Sequence, residues 1–309
     1  MAKINIGLVG FGKIARDQHL PALAANPDYH LMAITEGARP PPGGVSVFKS
    51  LDDMIAGSPD IEAVSLCTPP QGRYALARQA LDHRLHVIME KPPGRTIGEV
   101  EALIDAAKSL RVALFGTWHS REAPAVDAAR RWLANATIRD VDITWQEDVR
   151  RWHPKQEWIW QQGGFGVFDP GINALSIATR LLPRAIFLTS AQLCYPENRD
   201  MPIAATLNLS DSAGTPIRAH FDWRQTGTQN WDIIVNTDNG RVHLSEGGAA
   251  LSIDSRSVEL APAGEYPNLY RRFANLVKDR SVDVDLAPLR LVVDAFAMGE
   301  REVVEPFYD

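Results

Sequence analysis

The spacing of apolar positions divides the chain into two parts with different periods. From residue 1 to about 118, short β-type runs alternate with segments whose apolar residues recur every three or four positions, as over 74–81 and 100–107. The β-type runs are Ile4 to Val9, Leu31 to Ile34, Ile61 to Cys67, His86 to Met89 and Val112 to Phe115. This alternation predicts an α/β fold with a doubly wound parallel sheet.

From Ile138 onward the apolar period becomes two. Val141, Ile143 and Trp145 alternate with polar residues, and the pattern recurs over 203–209, 217–223, 231–235 and 242–244. A tight turn is predicted at 237–240, and helical patterns follow Asp169 and cover 286–303. We therefore expect a second domain over 119–309, of the α+β class, with an open and mainly antiparallel sheet.

Composition narrows the classes of partner. The 309 residues suit about two domains, and the net charge of −6 comes without a basic stripe, so neither a nucleic acid nor an anionic membrane is expected as partner. Two distant cysteines and scattered histidines argue against a disulfide scaffold and against a metal site. With no leader pattern and no apolar run of about 18 residues, a cytoplasmic protein is the expectation.

A glycine-rich turn follows the first predicted strand. Gly10, Gly12 and Ala15 match the GxGxxG/A pattern, and they stand between a strand and a helical segment. The exposed backbone N–H groups of such a turn bind a pyrophosphate at a helix N-terminus. Residues 1–118 are therefore expected to bind NAD or NADP, with Lys13 and Ile14 beside the turn. Thr68 and Pro69, at the end of the third run, are expected to line the cofactor, although an ordinary strand-ending turn explains them nearly as well.

The end of the second strand carries a candidate for cofactor selection. Glu36 lies about 20 residues after the glycines, where a carboxylate accepts hydrogen bonds from the ribose hydroxyls and repels a 2′-phosphate. This favours NAD over NADP. Arg39 is close enough to pair with Glu36 or with a phosphate, and a solvated loop acid is the alternative interpretation of Glu36.

Two further motifs carry a family resemblance. Glu90-Lys91-Pro92 ends the fourth run, and a glycine-rich segment at 163–173 contains Asp169-Pro170 and Asn173. Together with the Gly10 turn, these motifs resemble the glucose–fructose oxidoreductase / inositol dehydrogenase (Gfo/Idh/MocA) family over essentially the whole chain. The runs at 12–19, 68–71, 118–121 and 147–154 are similar to that family's bacterial D-galactose and L-arabinose 1-dehydrogenases.

The resemblance implies catalytic roles for Lys91 and Asp169. Lys91 is expected near the nicotinamide and Asp169 facing the substrate, with Glu90 orienting Lys91 or contacting the cofactor. The family pattern has a histidine four residues after the aspartate, where this chain has Asn173, so proton transfer is expected to involve Asp169 or Lys91. Two alternatives stay open: Asp169 only caps a helix, and Lys91 is a surface lysine.

A tryptophan-rich segment supplies candidates for sugar contacts. Four of the eight tryptophans, at 145, 152, 158 and 160, lie among charged residues. Indole faces stack on sugar C–H faces while charged groups bind hydroxyls, so His119, Glu147, Trp152 and His153 are expected to contact substrate, with Asp169 and Asn173. Trp145 is expected in the core. Arg150 and Arg151 are alternatively expected to pair locally with Glu147 and Asp148.

The resemblance, taken with these residues, implies an NAD(P)-dependent oxidation of D-galactose or L-arabinose at C1 to the lactone. A dehydrogenase of another polyol and a non-catalytic sugar-sensing regulator are the alternatives, and Lys91 and Asp169 argue against the regulator. The resemblance also implies a homodimer or homotetramer, because the alternating apolar residues of the second sheet leave a face to be covered.

Overall fold

The chain folds into two compact units, each of which takes two stretches of sequence. The computed structural model describes residues 3–37, 43–262 and 264–308. The first unit comprises Met1–His119 and Glu265–Leu286, and the second comprises Ser120–Gly264 and Ala287–Asp309. The predicted boundary at 118 lies next to residue 119, where the chain first passes from the first unit to the second. The prediction that all of 119–309 forms one domain was wrong, because the chain returns to the first unit over 265–286.

The secondary structure is numbered in chain order. The strands are β1 Ile4–Val9, β2 Tyr29–Thr35, β3 Ser46–Phe48, β4 Ala63–Leu66, β5 His86–Met89, β6 Leu114–Gly116, β7 Ile138–Gln146, β8 Ile186–Pro196, β9 Ala204–Asp211, β10 Ile217–Asp222, β11 Asn230–Thr237, β12 Arg241–Ser245, β13 Ala250–Ile253, β14 Arg256–Ser257, β15 Val282–Asp283 and β16 Glu300–Val304. The α-helices are α1 Leu20–Ala25, α2 Leu51–Gly57, α3 Pro70–Asp82, α4 Ile97–Leu110, α5 Pro124–Leu133, α6 Val149–Trp152, α7 Phe168–Leu181, α8 Glu265–Asp279 and α9 Ala287–Met298.

The sheet of the first unit is parallel throughout, in the order β15-β6-β5-β4-β1-β2-β3. The predicted doubly wound sheet is confirmed, and the bounds of β1 and β5 match those predicted. The strand order reverses between β1 and β4. In open α/β sheets, ligands bind outside the carboxyl ends of the strands at such a reversal.

Helices cover both faces of this sheet. Side chains of α2, α3 and α4 pack on one face, and those of α1 and α8 pack on the other. The buried positions of α8 are Tyr266, Leu269, Tyr270, Phe273 and Ala274, whose spacing places them on one side of the helix. Burial of this apolar side explains why residues 265–286 belong to the first unit.

The second unit contains a nine-stranded mixed sheet in the order β14-β13-β12-β11-β7-β10-β9-β8-β16. Among its described strands, the β7–β10 and β8–β16 pairs are parallel and the other pairs are antiparallel, so the predicted, mainly antiparallel sheet is confirmed. Its apolar face is buried against α5, α7 and α9 of the same unit. These apolar residues are therefore covered without a second copy, and the self-association expected from the sequence stays a prediction.

Two elements near the end of the chain differ from the helix predicted over 286–303. The helix α9 ends at Met298, and β16 follows it. Gly299 stands at the junction, where an added Cβ would lie 2.5 Å from the Ala295 carbonyl oxygen. The close return of the backbone at this glycine separates the helix from the strand.

Candidate active site

The glycine-rich turn lies at the reversal of the first sheet. Gly10 has a φ of +89°, and an added Cβ would lie 2.7 Å from Thr68 Cγ2, so a side chain fits neither its conformation nor its surroundings. Its N–H donates to Thr35 Oγ1 at 2.8 Å, which ties the turn to the end of β2. An added Cβ on Gly12, by contrast, would meet nothing within 4 Å. The turn is therefore packed against the ends of β2 and β4 at Gly10, and it has open space next to it at Gly12.

The residues around the turn fit a dinucleotide. A π-helical segment, Ala15–His19, begins after Ile14, whose side chain is 37% exposed. The Lys13 ammonium forms an ion pair with Asp17. The Thr68 Oγ1 is buried beside the turn, and none of the described residues forms a hydrogen bond with it. A bound pyrophosphate would fit the open space beside the turn, and a phosphate or the nicotinamide ribose would supply a hydrogen-bond partner for the Thr68 hydroxyl.

Glu36 follows β2 directly, as its proposed role requires. Its N–H donates to the Phe48 carbonyl at 2.8 Å, and its side chain is exposed. Arg39, which the sequence analysis paired with Glu36 or a phosphate, lies outside the described residues.

Glu90 is the centre of a buried hydrogen-bond network at the end of β5. Its Oε1 lies 2.9 Å from His19 Nε2 and accepts a hydrogen bond from the Tyr266 hydroxyl at 2.7 Å. Its Oε2 accepts from the Lys91 backbone N–H at 3.0 Å. His19 Nδ1 in turn lies 2.7 Å from the Tyr270 hydroxyl. The carboxylate therefore orients the backbone of Lys91 and links it to α8.

The electrostatics of this network favour an ion pair. Burial acts to raise the pKa of Glu90, but the hydrogen bond and charge of His19 outweigh it and hold that pKa well below its usual range. Burial acts to lower the pKa of His19, yet the influence of Cys67, Tyr270 and Glu90 raises it well above its usual value. Burial raises the pKa of Tyr266, as does Glu90, so its hydroxyl remains a donor.

A buried arginine, which the sequence analysis missed, anchors the loop that carries Lys91. Arg73 on α3 is 2% exposed, and its guanidinium donates to the backbone carbonyls of Glu90, at 2.6 Å, of Pro92 and of Thr68. It thus joins the residues after β4 to those after β5. Its position on a helical face with Ala77 and Ala80 was the available signal, because a charge at a buried helical position needs partners.

His119 belongs to the first unit, whereas the other predicted sugar contacts belong to the second. Its Nδ1 lies 2.9 Å from Glu265 Oε2, and its ring stacks on Tyr266 with centroids 5.6 Å apart. Lys91, which is half-buried, is also in the first unit. The remaining predicted substrate and catalytic residues, Glu147, Trp152, His153, Asp169 and Asn173, all lie in the second unit.

The start of α7 places Asp169 in the second unit. The helix begins at Phe168 with Val167 at the N-cap position, so Asp169 is not its N-cap residue and that alternative was wrong. Gly166, just before the helix, has a φ of +53°, and an added Cβ would lie 2.4 Å from the Pro202 carbonyl oxygen. Asp169 is 4% exposed. The glycine-rich motif therefore forms a tight turn at Gly166, and this turn positions the buried Asp169 carboxylate.

Asp169, Glu147 and His153 form a cluster. His153 Nε2 lies 3.7 Å from Asp169 Oδ2 and 3.7 Å from Glu147 Oε1. Glu147 follows β7 and is 5% exposed, while His153 ends the short helix α6. Two carboxylates from different elements thus face one imidazole, an arrangement suited to proton transfer and to binding hydroxyl groups.

Two tryptophans from the sheet hold Glu147. Trp231 Nε1 donates to its Oε2 at 2.9 Å, and Trp223 Nε1 approaches its Oε1 at 3.4 Å. Trp152, 40% exposed, packs edge-on against Trp231 with centroids 5.4 Å apart. From the sequence, Trp223 and Trp231 were predicted only as members of the alternating strands. The register that pairs Trp231 with Trp145 brings its indole to the end of β7, and this pairing is not local in sequence.

The other predictions for this segment have clear outcomes. Trp145 is buried, as expected for a core residue. Arg150 pairs with Asp148, with Nε 2.9 Å from Oδ1, which confirms the local pairing for this residue. Asn173 lies one turn after Asp169 on α7 and is half-buried. Within the described part of the chain, its side-chain amide forms no hydrogen bond.

Comparison with known proteins identifies the family. Galactose 1-dehydrogenase of Pseudomonas fluorescens is 47% identical over 309 residues, which are all of this chain and all of that protein. The chain belongs to the Gfo/Idh/MocA oxidoreductase family. Residues 4–117 match the model of this family, which is described as an oxidoreductase family with an NAD-binding Rossmann fold.

Solved structures extend the comparison. The D-galactose-1-dehydrogenase of Rhizobium etli is 54% identical, with a TM-score of 0.95 over 100% of this chain and 99% of that one. The 3-ketoreductase KijD10 of Actinomadura kijaniata, 18% identical with a TM-score of 0.85 over 98% of this chain and 99% of that one, shares the fold.

The family match confirms that the first unit is an NAD-binding Rossmann unit, as the glycine turn predicted. Among the described residues, no group of three or more His, Cys, Asp or Glu side chains is arranged to hold a metal ion. No helix in the described ranges has the length and apolar character needed to cross a membrane.

Proposed function

We propose that this protein oxidises galacto-configured aldopyranoses, D-galactose and L-arabinose, at C1 to the lactone with NAD as hydride acceptor. One observation of the structure carries the proposal: the buried carboxylates of Glu147 and Asp169 face the same imidazole beside a tryptophan pair. Carboxylates bind sugar hydroxyls, and indole faces bind the C–H face of a ring that has an axial C4 hydroxyl. Similarity along the full length to two galactose dehydrogenases supports the same substrate class.

In this proposal the residues divide the work. Bound NAD⁺ supplies the hydride acceptor. Asp169 takes the proton of the C1 hydroxyl, and the Lys91 ammonium hydrogen-bonds the sugar oxygen and stabilises developing negative charge. Asn173, whose amide is unpaired among the described residues, donates to a substrate oxygen. Gly10, Gly12 and the other predicted residues of the first unit contact the cofactor.

The test of the reaction is NADH formation across a panel of sugars. D-galactose and L-arabinose are expected to be oxidised, while D-glucose, with an equatorial C4 hydroxyl, and inositol are not. The exocyclic CH₂OH that separates the two substrates is worth about 1–3 kcal/mol in a pocket. No turnover of any aldose, despite NAD binding, would contradict the proposal and favour a sugar-sensing regulator.

Asp169→Asn tests the assignment of the base. The variant keeps the shape of the side chain but loses the proton acceptor, so kcat for D-galactose is expected to fall by about 10²–10⁴. Asp127→Asn is the matched control, because Asp127 is an exposed residue of α5 in the same unit. An Asp169→Asn enzyme that keeps most of its kcat would show that the base is elsewhere.

Glu36 is proposed to favour NAD over NADP. The wild type is expected to have a higher kcat/KM with NAD, and Glu36→Ala to lose much of that preference, because the repulsion of a 2′-phosphate is removed. Equal values for the two cofactors in the wild type would refute this role. The cytoplasmic location and the self-association expected from the sequence stay predictions, and light scattering tests the latter.

A further inference from the structure

The His153 imidazole stands where two buried carboxylates of the second unit converge. Glu147 reaches it from the end of β7 and Asp169 from α7, and the ring lies against Trp223 with centroids 5.4 Å apart. Both Nε2 to oxygen distances are 3.7 Å, slightly longer than a hydrogen bond. Catalytic hydrogen bonds are often long without substrate and shorten in the substrate complex.

Sugar oxidation at C1 releases a proton that a carboxylate alone holds poorly. A carboxyl group ordinarily has a pKa near about 4, whereas imidazole has a pKa near about 6.5 and accepts a proton close to neutral pH. Asn173, one turn after Asp169, has an amide that cannot accept a proton. Among the described residues of the cluster, the group next to Asp169 that accepts a proton near neutral pH is the His153 imidazole.

We propose that His153 Nε2 receives, through Asp169, the proton that leaves the C1 hydroxyl. The step rests on the proposed function and balances as follows: the C1 hydride leaves for the cofactor, the O–H bond breaks, and the oxygen electron pair forms the C1=O bond of the lactone. The proton passes from Asp169 Oδ2 to His153 Nε2. It leaves to water when the product has dissociated.

The neighbours of His153 support a transient imidazolium. Glu147 supplies a second negative charge, and its carboxylate is fixed by the Trp231 indole N–H. The charged side chains on the segment of His153 itself include Asp148, which is paired with Arg150, Arg151, which lies over Trp152, and Lys155. Glu147 therefore acts through His153 and is a positioning residue in this proposal.

The test is the pH dependence of kcat for D-galactose in His153→Gln. In the wild type, kcat is expected to fall on the acidic side as the imidazole becomes protonated in the resting enzyme. In His153→Gln, kcat is expected to fall by about 10²-fold and that acidic limb to disappear, while KM changes less. Added imidazole is expected to restore part of the rate in His153→Ala.

Two further variants complete the design. Glu147→Gln removes one of the two carboxylates and is expected to move the acidic limb to lower pH. His243→Gln is the matched control, since His243 pairs with Asp232 on neighbouring strands of the same unit, with Nε2 2.7 Å from Oδ1. Its pH profile is expected to match the wild type.

The outcomes separate this proposal from the proposed function. If the wild type oxidises D-galactose but His153→Gln keeps the acidic limb, or raises only KM, the proton role of His153 is overturned and the activity stands. If the wild type oxidises no aldose, both are overturned. Should His153→Gln fail to fold, the shift of the limb in Glu147→Gln decides, and an unmoved limb overturns the proposal.

Discussion

Replacing Arg73 by methionine should damage both the stability of the first unit and the position of Lys91. The guanidinium donates to three backbone carbonyls, those of Glu90, Pro92 and Thr68. Methionine fills much of the volume but donates nothing, so each carbonyl loses its charged donor. A buried polar group left unsatisfied costs about 1–3 kcal/mol.

The magnitude follows from the count of carbonyls. Even the lowest cost for each of the three carbonyls gives a loss of about 3 kcal/mol, which is large against a typical total of about 5–15 kcal/mol. Because two of the carbonyls flank Lys91, its backbone should also shift. A displacement of about 1 Å can reduce a rate about 10²-fold, and we expect a fall in kcat of that order in the folded fraction.

Urea denaturation gives the free energy of unfolding, and NADH formation with D-galactose gives kcat. Arg78→Met is the control on the same helix, because Arg78 is exposed and pairs with Asp82 four residues later, and exposed ion pairs contribute little to stability. If Arg73→Met and Arg78→Met lose similar stability and keep similar kcat values, the anchoring role of Arg73 is refuted.

Two other predictions concern the two units separately. Because the pKa of His19 is raised in the folded protein, its contribution to the free energy of unfolding is complete below about pH 6.5 and is lost as the pH rises through the folded-state pKa. Because the pKa of Glu90 is lowered, its contribution is complete above about pH 4.3 and is lost in acid. Urea midpoints should therefore peak between these values, and a His19→Gln, Glu90→Gln double variant should show a flatter profile; an equally curved one would contradict the ion pair. Gly171→Ala places a Cβ 2.9 Å from the Phe221 ring and should cost about 1–3 kcal/mol by calorimetry, whereas Gly98→Ala in open space on α4 should be neutral or stabilising. Equal melting temperatures for the two variants would disprove the close packing at Gly171.

The sequence predicted the parts of the fold that local pattern determines. Strand β1 and the glycine turn follow from an apolar run, a glycine pattern and a helical period within a short stretch, and the sequence shows all three. The helix α8 was not predicted, although its amphipathic pattern is equally local. Which core it joins depends on contacts with residues some 200 positions earlier, such as the Tyr270 hydroxyl with Ser65, and periodicity carries no such information.

The candidate site divides in the same way. Glu147, His153 and Asp169 were recognisable by residue type and context, and their mutual distances needed the strand register and the Gly166 turn. Arg73 and Trp231 were missed because each acts on a partner far away in the chain. A residue whose role is to hold another is visible only once the fold brings the two together.

The return of the chain at α8 has a consequence for synthesis on the ribosome. When residues 1–119 have emerged, the face of the first sheet that Tyr266 and Phe273 will cover is still bare, and the whole segment from 120 to 264 must be translated before α8 exists. Strand β15, at the edge of that sheet, is made later still. The nascent first unit therefore has an uncovered apolar surface while residues 120–264 are translated, a state that chaperones recognise, and it reaches its final form only when the chain is nearly complete.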